Sequence, residues 1–496
     1  MIITVIAVYL ALVLAIGLFS HRLFRRTGED YFVATRSIGS FVLFMSLFGT
    51  HMTAFSILGA SGESYHIGIG VFSLLASSSA LVVPAVFFFV GTRLWAIGKK
   101  HGYLTQIQYF RERWSSEGLG LLLFIVLNLL LVPYLLIGLM GGGITLTQIT
   151  NGAIPEWVGG LVVIAVISTY VIYGGMRGTA WVNTFQTLVF AVCGGLAFLV
   201  ISDHMGGFEL AMQKVAEARP DLMIRGEHIQ PLQLLTYTLI PLSVGMFPHL
   251  FNHWLTAKRA RAFHQTIIFY PLAIAIVWIP SVLLGVLGTI DFPGLQGAAA
   301  NSILIRMIEL HANTVLAGIL AAGVISSVMN SLDSQSLAIG SMFTQDIVRH
   351  YRFHDSMSEQ KQVFYGRLFV LLILLATYVI SLFSGRSIFR LGIWSFTGFA
   401  ALFPVVIAAL YWKRSTRYGA FASIISVIVL WIYFFFQAGE SETYTIGGTG
   451  IMPVAILFLV STICMILFSL FSKAPDQSVI TKFFPSKAVA STWEAL

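Results

Sequence analysis

The feature that most restricts the fold of this chain is a succession of long apolar segments, which begins at residue 2 and ends near residue 472. A transmembrane helix needs about 20 apolar residues, and most of the segments have this length. Of the 496 residues, 57% are hydrophobic and only 10% are charged, whereas a soluble domain carries about 25% charged residues. The sequence therefore predicts an all-α polytopic membrane protein.

The apolar segments predict about 13 transmembrane helices. These cover residues 2–20, 38–65, 69–97, 118–147, 157–174, 178–202, 233–256, 264–289, 314–346, 367–384, 388–412, 418–436 and 451–472. No basic region precedes the first segment and no small-residue cleavage site follows it, so we expect a span and not a signal peptide. The polar residues between helices 6 and 7 form the longest predicted external loop.

The positively charged residues are distributed unevenly between the two sides. Six of the 29 Lys and Arg residues fall on the external side: Lys214, Arg219, Arg225, Arg306, Arg386 and Arg390. The others lie in the opposite loops, which the positive-inside rule assigns to the cytoplasm. We therefore expect a multi-pass protein of the cell membrane with its N-terminus outside and its C-terminus in the cytoplasm. The net charge of +8 then reflects this topology and the lipid bilayer, and not binding to nucleic acid.

Motifs of soluble enzymes are missing from the sequence. It contains no His-Glu-x-x-His, no P-loop and no glycine-rich dinucleotide turn, and no polar segment is large enough for an enzyme domain. Cys193 and Cys464 both lie in apolar segments, so they imply no disulfide or metal framework. We predict that the chain is not an enzyme, and no obligatory protein partner is evident.

The predicted helix 2 is interrupted by small and polar residues. The stretch 48–68 lies at membrane depth but carries glycines, hydroxyls, two histidines and a carboxylate. At that depth an unwound backbone is tolerated only where it lines a cavity, and its carbonyl oxygens can bind a coupling cation. We therefore predict a broken helix at a binding site. The alternative is a close contact between helices, which small residues also permit.

The predicted helix 7 contains a second interruption, within residues 243–253. Pro248 disrupts the helical hydrogen bonds, and His249, Asn252 and His253 add polar groups at helical spacing. A proline kink by itself is often structural, but interruptions at corresponding positions of two halves indicate an inverted repeat. The predicted organisation is a peripheral segment, a first repeat of helices 2–6, an external loop, a second repeat of helices 7–11, and two further helices with a short tail. Their bounds are 1–36, 37–202, 203–232, 233–412 and 413–496.

The predicted helix 9 carries oxygen-rich side chains on one face. Ser327, Asn330, Ser331 and Ser334 follow the spacing of one helical face, and hard cations prefer oxygen ligands. Asp333 is a carboxylate deep in the same apolar segment, where an ionisable residue is costly and indicates function. A stripe of hydroxyls alone would more often hold helices together; with Asn330 and Asp333 added, we favour a functional face.

Four motifs resemble those of one transporter family. Residues 173–186 resemble its Tyr-Gly-Gly stretch leading to Trp-x-Asp-x-x-Gln, and 247–249 resemble a Pro-His pair of its proline and pantothenate members. Residues 328–335 resemble its Val/Ile-Met-Ser-Thr run, and 410–420 resemble its Phe-Trp-Lys-Arg signature. The sequence thus resembles the sodium/solute symporter family over roughly residues 1–473. The resemblance implies a leucine-transporter-type fold with two inverted five-helix repeats, and sodium-coupled uptake of a small organic solute by alternating access.

The resemblance also implies a Na⁺ site between helices 2 and 9. Its ligands would be the backbone carbonyls of Gly49, Met52 and Ser327 and the side-chain oxygens of Asn330 and Ser331. The family usually has Ser at position 330, so the bulkier amide leaves the geometry of the site open.

A second departure from the family pattern lies in helix 6. The family usually has Asp where this sequence has Asn183, which puts a second sodium ion in doubt. Asn183, as the position of this departure, and Asp333, as the ionisable residue within helix 9, are the residues to which we assign a role in coupling sodium to solute transport.

The solute is expected beside the sodium ion, near both helix breaks. The candidate contacts are His51, Ser56, Ser78, Phe247 and His249, with Trp394 and Thr397 closing the outer side. No Lys or Arg falls in this group, but two histidines and helix N-termini favour a carboxylate. Sugars, amino acids and nucleobase-like solutes remain open at this point. So do two other functions for this fold, a proton-coupled or uncoupled carrier and a solute sensor.

Overall fold

The computed structural model describes residues 1–20, 28–351, 359–385, 387–439 and 444–484. The described residues form a helical bundle whose membrane helices we label in chain order. These are α1 (Ile2–Ser20), α2a (Ser40–His51) and α2b (Phe55–Ile67), α3 (Gly70–His101), α4 (Glu117–Ile149), α5 and α6 (together Glu156–His204), α7a (Pro231–Gly245) and α7b (Pro248–Thr256), α8 (Ala260–Asp291), α9 (Thr314–Arg349), α10 (Glu359–Ser381), α11 (Ile388–Tyr411), α12 (Arg417–Gln437) and α13 (Pro453–Leu470).

The stretch Glu156–His204 consists of two helices that meet at Gly175. This residue has φ 54° and ψ −154°, and a Cβ there would lie 2.7 Å from the Tyr31 ring, so glycine is required. In one continuous helix Tyr170 and Asn183 would be about 20 Å apart. Both instead reach adjacent residues of α9, Asp333 and Ser334. The chain therefore folds back here, and α5 and α6 are separate spans, which gives 13 spans in the described part of the chain.

Both predicted helix interruptions are confirmed. The axis bends by 56° between α2a and α2b and by 51° between α7a and α7b. The ends of three other helices differ from the prediction: α3 continues to His101, α8 begins at Ala260 and α10 begins at Glu359. Polar residues continue these helices, because the helical hydrogen bonds do not stop where the apolar segment does.

The two most enclosed helices lie at the centre of the bundle. α9 and α11 bury 83% of their central residues, whereas α1 buries 22%. α1 therefore lies at the periphery, with its Gly17 fitted against Tyr170 of α5. The polar stripe of α9 consequently faces protein and not lipid.

The ends of α2a and α7b meet on the side that carries most of the positive charge. The amide of Ile38 donates to the carbonyl of Thr256 (3.0 Å), and the amide of Lys258 donates to the carbonyl of Ile38 (3.0 Å). The Arg36 guanidinium donates to the carbonyls of Tyr103 (2.9 Å) and Leu255. These contacts join α2a, α3 and α7b and close this side of the bundle.

Candidate ion and solute site

The break in α2 exposes backbone carbonyls. Met52 ends α2a in an extended conformation (φ −85°, ψ 94°). Thr53 starts the next segment, because its hydroxyl accepts from the amide of Phe55 (3.0 Å) and its carbonyl accepts from the amide of Ser56 (2.9 Å). In the last turn of α2a the carbonyl of Phe48 accepts from the amide of Met52 (2.9 Å), whereas the carbonyls that follow it have no helical donors among the described residues.

Gly49 brings α2a into close contact with α6 and α9. A Cβ at this position would lie 1.9 Å from Oγ1 of Thr187 and 2.4 Å from Nδ2 of Asn330. One residue further on, the Thr50 hydroxyl donates to the carbonyl of Asn330 (3.2 Å). The broken end of α2a thus lies directly against the polar face of α9.

The α9 face is buried and its amide is fixed in orientation. Ser327 and Asn330 are 0% exposed and Ser331 is 2% exposed. Nδ2 of Asn330 donates to the carbonyl of Asn183 (3.1 Å) and to the Thr187 hydroxyl (2.9 Å). Both donors of this amide are thus used on α6, which leaves its carbonyl oxygen as an acceptor.

Asp333 is fully buried and surrounded by hydrogen-bond donors. The Tyr170 hydroxyl donates to Oδ2 (2.7 Å), and the Ser334 hydroxyl donates to Oδ1 (2.9 Å). The side-chain amide of Asn183 makes the most hydrogen bonds when its nitrogen faces Asp333, at 2.8 Å from Oδ2. No Lys or Arg pairs with Asp333 among the described residues. The carboxylate of Asp333 on α9 thus lies directly beside Asn183 of α6.

The Asp333 network continues to α7b. Nε2 of His253 lies 3.1 Å from the Ser334 hydroxyl, and His253 is 0% exposed. Ser334 therefore links Asp333 of α9 to His253 of the second broken helix.

Aromatic rings surround the break in α7. Phe247 precedes α7b, and its ring stacks on His249 (5.0 Å between centroids) and contacts Tyr134 (5.4 Å) and Phe396 (5.7 Å). The ring of His51 lies 6.4 Å from Phe247. Four helices thus meet at this point: α2a, α4, α7 and α11 contribute to one cluster, and α7 does so through both its break and α7b.

The remaining sequence-predicted residues lie around this cluster. Nδ1 of His51 hydrogen-bonds to the hydroxyl of Tyr270, and Ser56 is buried in α2b. Trp394 and Thr397 line a separate cavity of about 20 Å³ near the α7a end, which has room for one water. The Ser78 hydroxyl is buried on α3 without a hydrogen-bond partner among the described residues.

Sequence reasoning missed four residues that the structure brings into the site. Thr187 fixes Asn330, Tyr170 donates to Asp333, Tyr270 binds His51, and Tyr134 contacts Phe247. Each comes from a long helix whose apolar pattern gives no sign of which turn faces the breaks. Only Tyr170 carried a usable signal, because it lies next to the predicted Tyr-Gly-Gly turn.

Two discontinuous helices around buried polar groups define a secondary transporter. The sequence profile of the sodium:solute symporter family matches residues 31–426. The chain is 24% identical over 489 residues to the high-affinity proline transporter of Bacillus subtilis, covering 95% of this chain and 98% of that protein. It is 25% identical over 487 residues to the sodium/pantothenate symporter of Escherichia coli, covering 95% and 97%.

The fold is also similar to a solved transporter structure. A Na⁺-coupled sialic acid symporter, in a substrate-bound outward-open state, matches with a TM-score of 0.78 at 17% identity, covering 96% of this chain and 98% of that one. The chain belongs to the sodium:solute symporter family and has the leucine-transporter-type fold. It is a multi-pass membrane protein that performs sodium-coupled symport of a small solute.

Proposed function

We propose that Na⁺ binds where the broken end of α2a meets the polar face of α9. Its ligands are the carbonyls of Gly49, Met52 and Ser327 and the side-chain oxygens of Asn330 and Ser331. The observation that carries this proposal is the contact of Gly49 with Asn330, which brings unbonded carbonyls against an oxygen-rich face. Both donors of Nδ2 of Asn330 are used by hydrogen bonds to α6, so its side-chain oxygen is left as an acceptor and an amide can replace the usual hydroxyl.

The solute is proposed to bind beside this ion at the two helix breaks. His51, Phe247 and His249 supply contacts, Ser56 on α2b and Ser78 on α3 are further proposed contacts, and Trp394 and Thr397 close the outer side. This arrangement is supported by the His51–Phe247 approach, because His51 directly precedes the proposed ligand Met52. Binding of the sodium ion and binding of the solute then favour the same arrangement of α2a and α7b, and this shared preference couples the two binding events.

The proposed orientation places the N-terminus outside and the C-terminus in the cytoplasm of the cell membrane. It is supported by the asymmetric distribution of the 29 Lys and Arg residues. The proposed repeats keep their predicted bounds, 37–202 and 233–412, and each contains one broken helix. The chain acts as a transporter and not as an enzyme, in keeping with its symporter relatives.

Removing the Ser331 hydroxyl is expected to weaken sodium binding. In Ser331→Ala, the sodium concentration for half-maximal uptake should rise at least about tenfold, which corresponds to about 1.4 kcal/mol. Uptake into proteoliposomes, followed at a series of sodium concentrations, measures this half-maximal concentration. Ser336→Ala is the matched control, because that hydroxyl is also buried on α9 but, within the described part of the chain, donates to the carbonyl of Leu332 alone. Equal sodium dependence in both variants would show that Ser331 is not a ligand.

One sodium ion per solute is the expected stoichiometry. Asn183 carries no charge, and the oxygens of Asp333 already accept from hydroxyl and amide donors. With a membrane potential of about 100 mV and a tenfold sodium gradient, one sodium supports roughly 500-fold accumulation of a neutral solute and two support roughly 10⁵-fold. With a monoanion, one sodium moves no net charge and supports about tenfold.

Proteoliposomes with a set potential distinguish these stoichiometries. We expect a Hill coefficient for sodium near one. A coefficient near two, or accumulation well above the one-sodium limit, would contradict the proposal and assign a second cation to the Asp333 network.

A further inference from the structure

A cavity of about 210 Å³ lies where the loop before α12 meets the end of α13 and the short helix Gln106–Arg113. A single water needs only about 10–15 Å³, so the cavity is large enough for a bound group. Among the described residues, its charged lining consists of Arg113, Arg417 and Lys473 and the carboxylate of Asp476. Three cations against one carboxylate leave an excess of positive charge, which favours an anion.

Arg113 is a buried cation without a counter-ion among the described residues. It is 0% exposed. Its Nε donates to the carbonyl of Ala409 (3.0 Å), and Nη2 donates to the carbonyl of Trp412 (3.0 Å) and to the Ser415 hydroxyl (3.0 Å). Nη1 has no hydrogen-bond partner in the described part of the chain, and the Phe484 ring, whose centre is 5.0 Å away, offers a cation–π contact but no negative charge. Because an uncompensated buried charge is costly, an anion in the adjoining cavity would stabilise Arg113.

Arg417 and Lys473 are the two exposed cations of the cavity lining. Nη2 of Arg417 donates to the Tyr418 hydroxyl (3.1 Å), and the guanidinium lies 4.9 Å from the centre of that ring. Within the described ranges, neither cation pairs with a carboxylate. Their remaining donors can therefore bind phosphate oxygens, for which Arg and Lys are common partners.

The two exposed cations are held near each other by the fold. The Arg414 guanidinium donates to the carbonyl of Ser472 (2.6 Å), and the hydroxyls of Thr416 and Ser472 are hydrogen-bonded (2.7 Å). These bonds join the loop before α12 to the end of α13. Arg417 and Lys473 directly follow the joined residues, so the site is formed before a ligand binds, which lowers the entropy cost of binding.

The cavity borders the surface that faces lipid. α12 begins at Arg417 and α13 ends at Leu470, so the cavity lies where two spans leave the apolar layer. Leu470 and Phe471 are 53% and 88% exposed, close in sequence to Lys473. Tyr418 lines the cavity and is 50% exposed, and Tyr is enriched at the boundary between membrane and water. A phosphate and an apolar chain can therefore be bound side by side.

We propose that this cavity binds the headgroup of an anionic phospholipid. Its phosphate accepts hydrogen bonds from Arg417 and Lys473 and compensates the charge of Arg113, while its acyl chains lie along the exposed apolar surface at the end of α13. A zwitterionic phospholipid is disfavoured, because its ammonium group adds positive charge to a site that already has an excess of cations. A soluble phosphate gains nothing from the apolar surface. Because α12 and α13 lie outside both proposed repeats, this site does not depend on the proposed ion and solute contacts.

Thermal stability of the purified full-length protein in a neutral detergent tests the lipid class. The probes are dioctanoyl phosphatidylglycerol, dioctanoyl phosphatidylcholine and inorganic phosphate at equal concentrations. We expect phosphatidylglycerol to raise the unfolding temperature most, since a ligand that binds the folded state stabilises it. Equal stabilisation by the two lipids, or none by phosphatidylglycerol, would overturn the charge-selective site. Equal stabilisation by inorganic phosphate and phosphatidylglycerol would overturn the assignment to a lipid.

Two double variants locate the site. In Arg417→Gln with Lys473→Gln, the affinity for phosphatidylglycerol should fall at least about tenfold, because each basic side chain adds to the attraction for an anionic lipid. Arg259→Gln with Lys413→Gln is the matched control: it removes one Arg and one Lys from exposed positions that do not line the cavity, and it should bind the lipid normally. The dependence of the unfolding temperature on lipid concentration gives both affinities. Equal affinity in the two double variants, whether high or low, would overturn the site.

Discussion

Replacement of Asp333 by asparagine is expected to raise the sodium requirement of transport roughly a hundredfold. Residues three apart on a helix are about 5–6 Å from each other, which places the carboxylate of Asp333 near the proposed ligand Asn330. At an effective dielectric constant of about 20, a unit charge at that distance contributes about 3 kcal/mol to the binding of a cation. The asparagine variant keeps the shape of the side chain but loses this electrostatic attraction for the cation.

The variant also disturbs the hydrogen bonds around position 333. Tyr170, Ser334 and Asn183 all donate toward the carboxylate, and an amide nitrogen placed among these donors would leave at least one buried group unbonded, at about 1–3 kcal/mol. Because Ser334 also bonds His253, the effect reaches α7b. Asp333 is therefore expected to be needed for coupling and not only for packing.

Sodium-dependent uptake and sodium-dependent thermal stability measure this effect. Asp291→Asn is the matched control, because Asp291 is a partly exposed carboxylate at the end of α8 that pairs with His311 (2.8 Å); its sodium dependence should stay normal. Normal transport by Asp333→Asn at normal expression would show that the charge is dispensable and that the carboxyl group is structural.

Addition of a methyl group at Gly49 should abolish most sodium-driven uptake. In Gly49→Ala the new Cβ would lie 1.9 Å from Oγ1 of Thr187 and 2.4 Å from Nδ2 of Asn330, so these buried groups must move. Thr187 is itself held by the carbonyl of Met45 (3.0 Å), and it accepts the hydrogen bond that orients Asn330. The variant therefore separates α2a from α9 and turns the amide oxygen away from the proposed ion.

Overpacking of this kind costs about 1–3 kcal/mol, and we expect at least about a tenfold loss of sodium affinity. Gly39→Ala, at the N-cap of the same helix, is the control, because no atom of the described residues lies within 4 Å of its added Cβ. Uptake against sodium concentration and the unfolding temperature are measured for both variants. Equal sodium dependence of the two variants would mean that the contact at Gly49 does not shape the ion site.

The class of the protein followed from the sequence because the bilayer imposes simple physical limits. Apolar segments of about 20 residues must be helices, and polar or proline-containing stretches within them must be supported by protein. These limits predicted the breaks at Met52 and Pro248 and the burial of Asp333, and the family motifs predicted the leucine-transporter-type fold. The predicted boundary between residues 174 and 178 likewise falls at the break that the structure has at Gly175.

Only the tertiary structure decided which residues on different helices meet. Thr187 and Tyr170 lie on helices that are apolar on most sides, so their sequence pattern does not show which turn faces α9. The same holds for Tyr134, which joins Phe247 and Phe396 only because α4, the α7 break and α11 converge. The sequence by itself determined the number of spans, the two breaks and the family, since these depend on local composition. The packing of the helices sets the cluster of rings around Phe247, the hydrogen bonds of Asn330 and the link from Asp333 to His253, because these depend on distances between residues far apart in the chain.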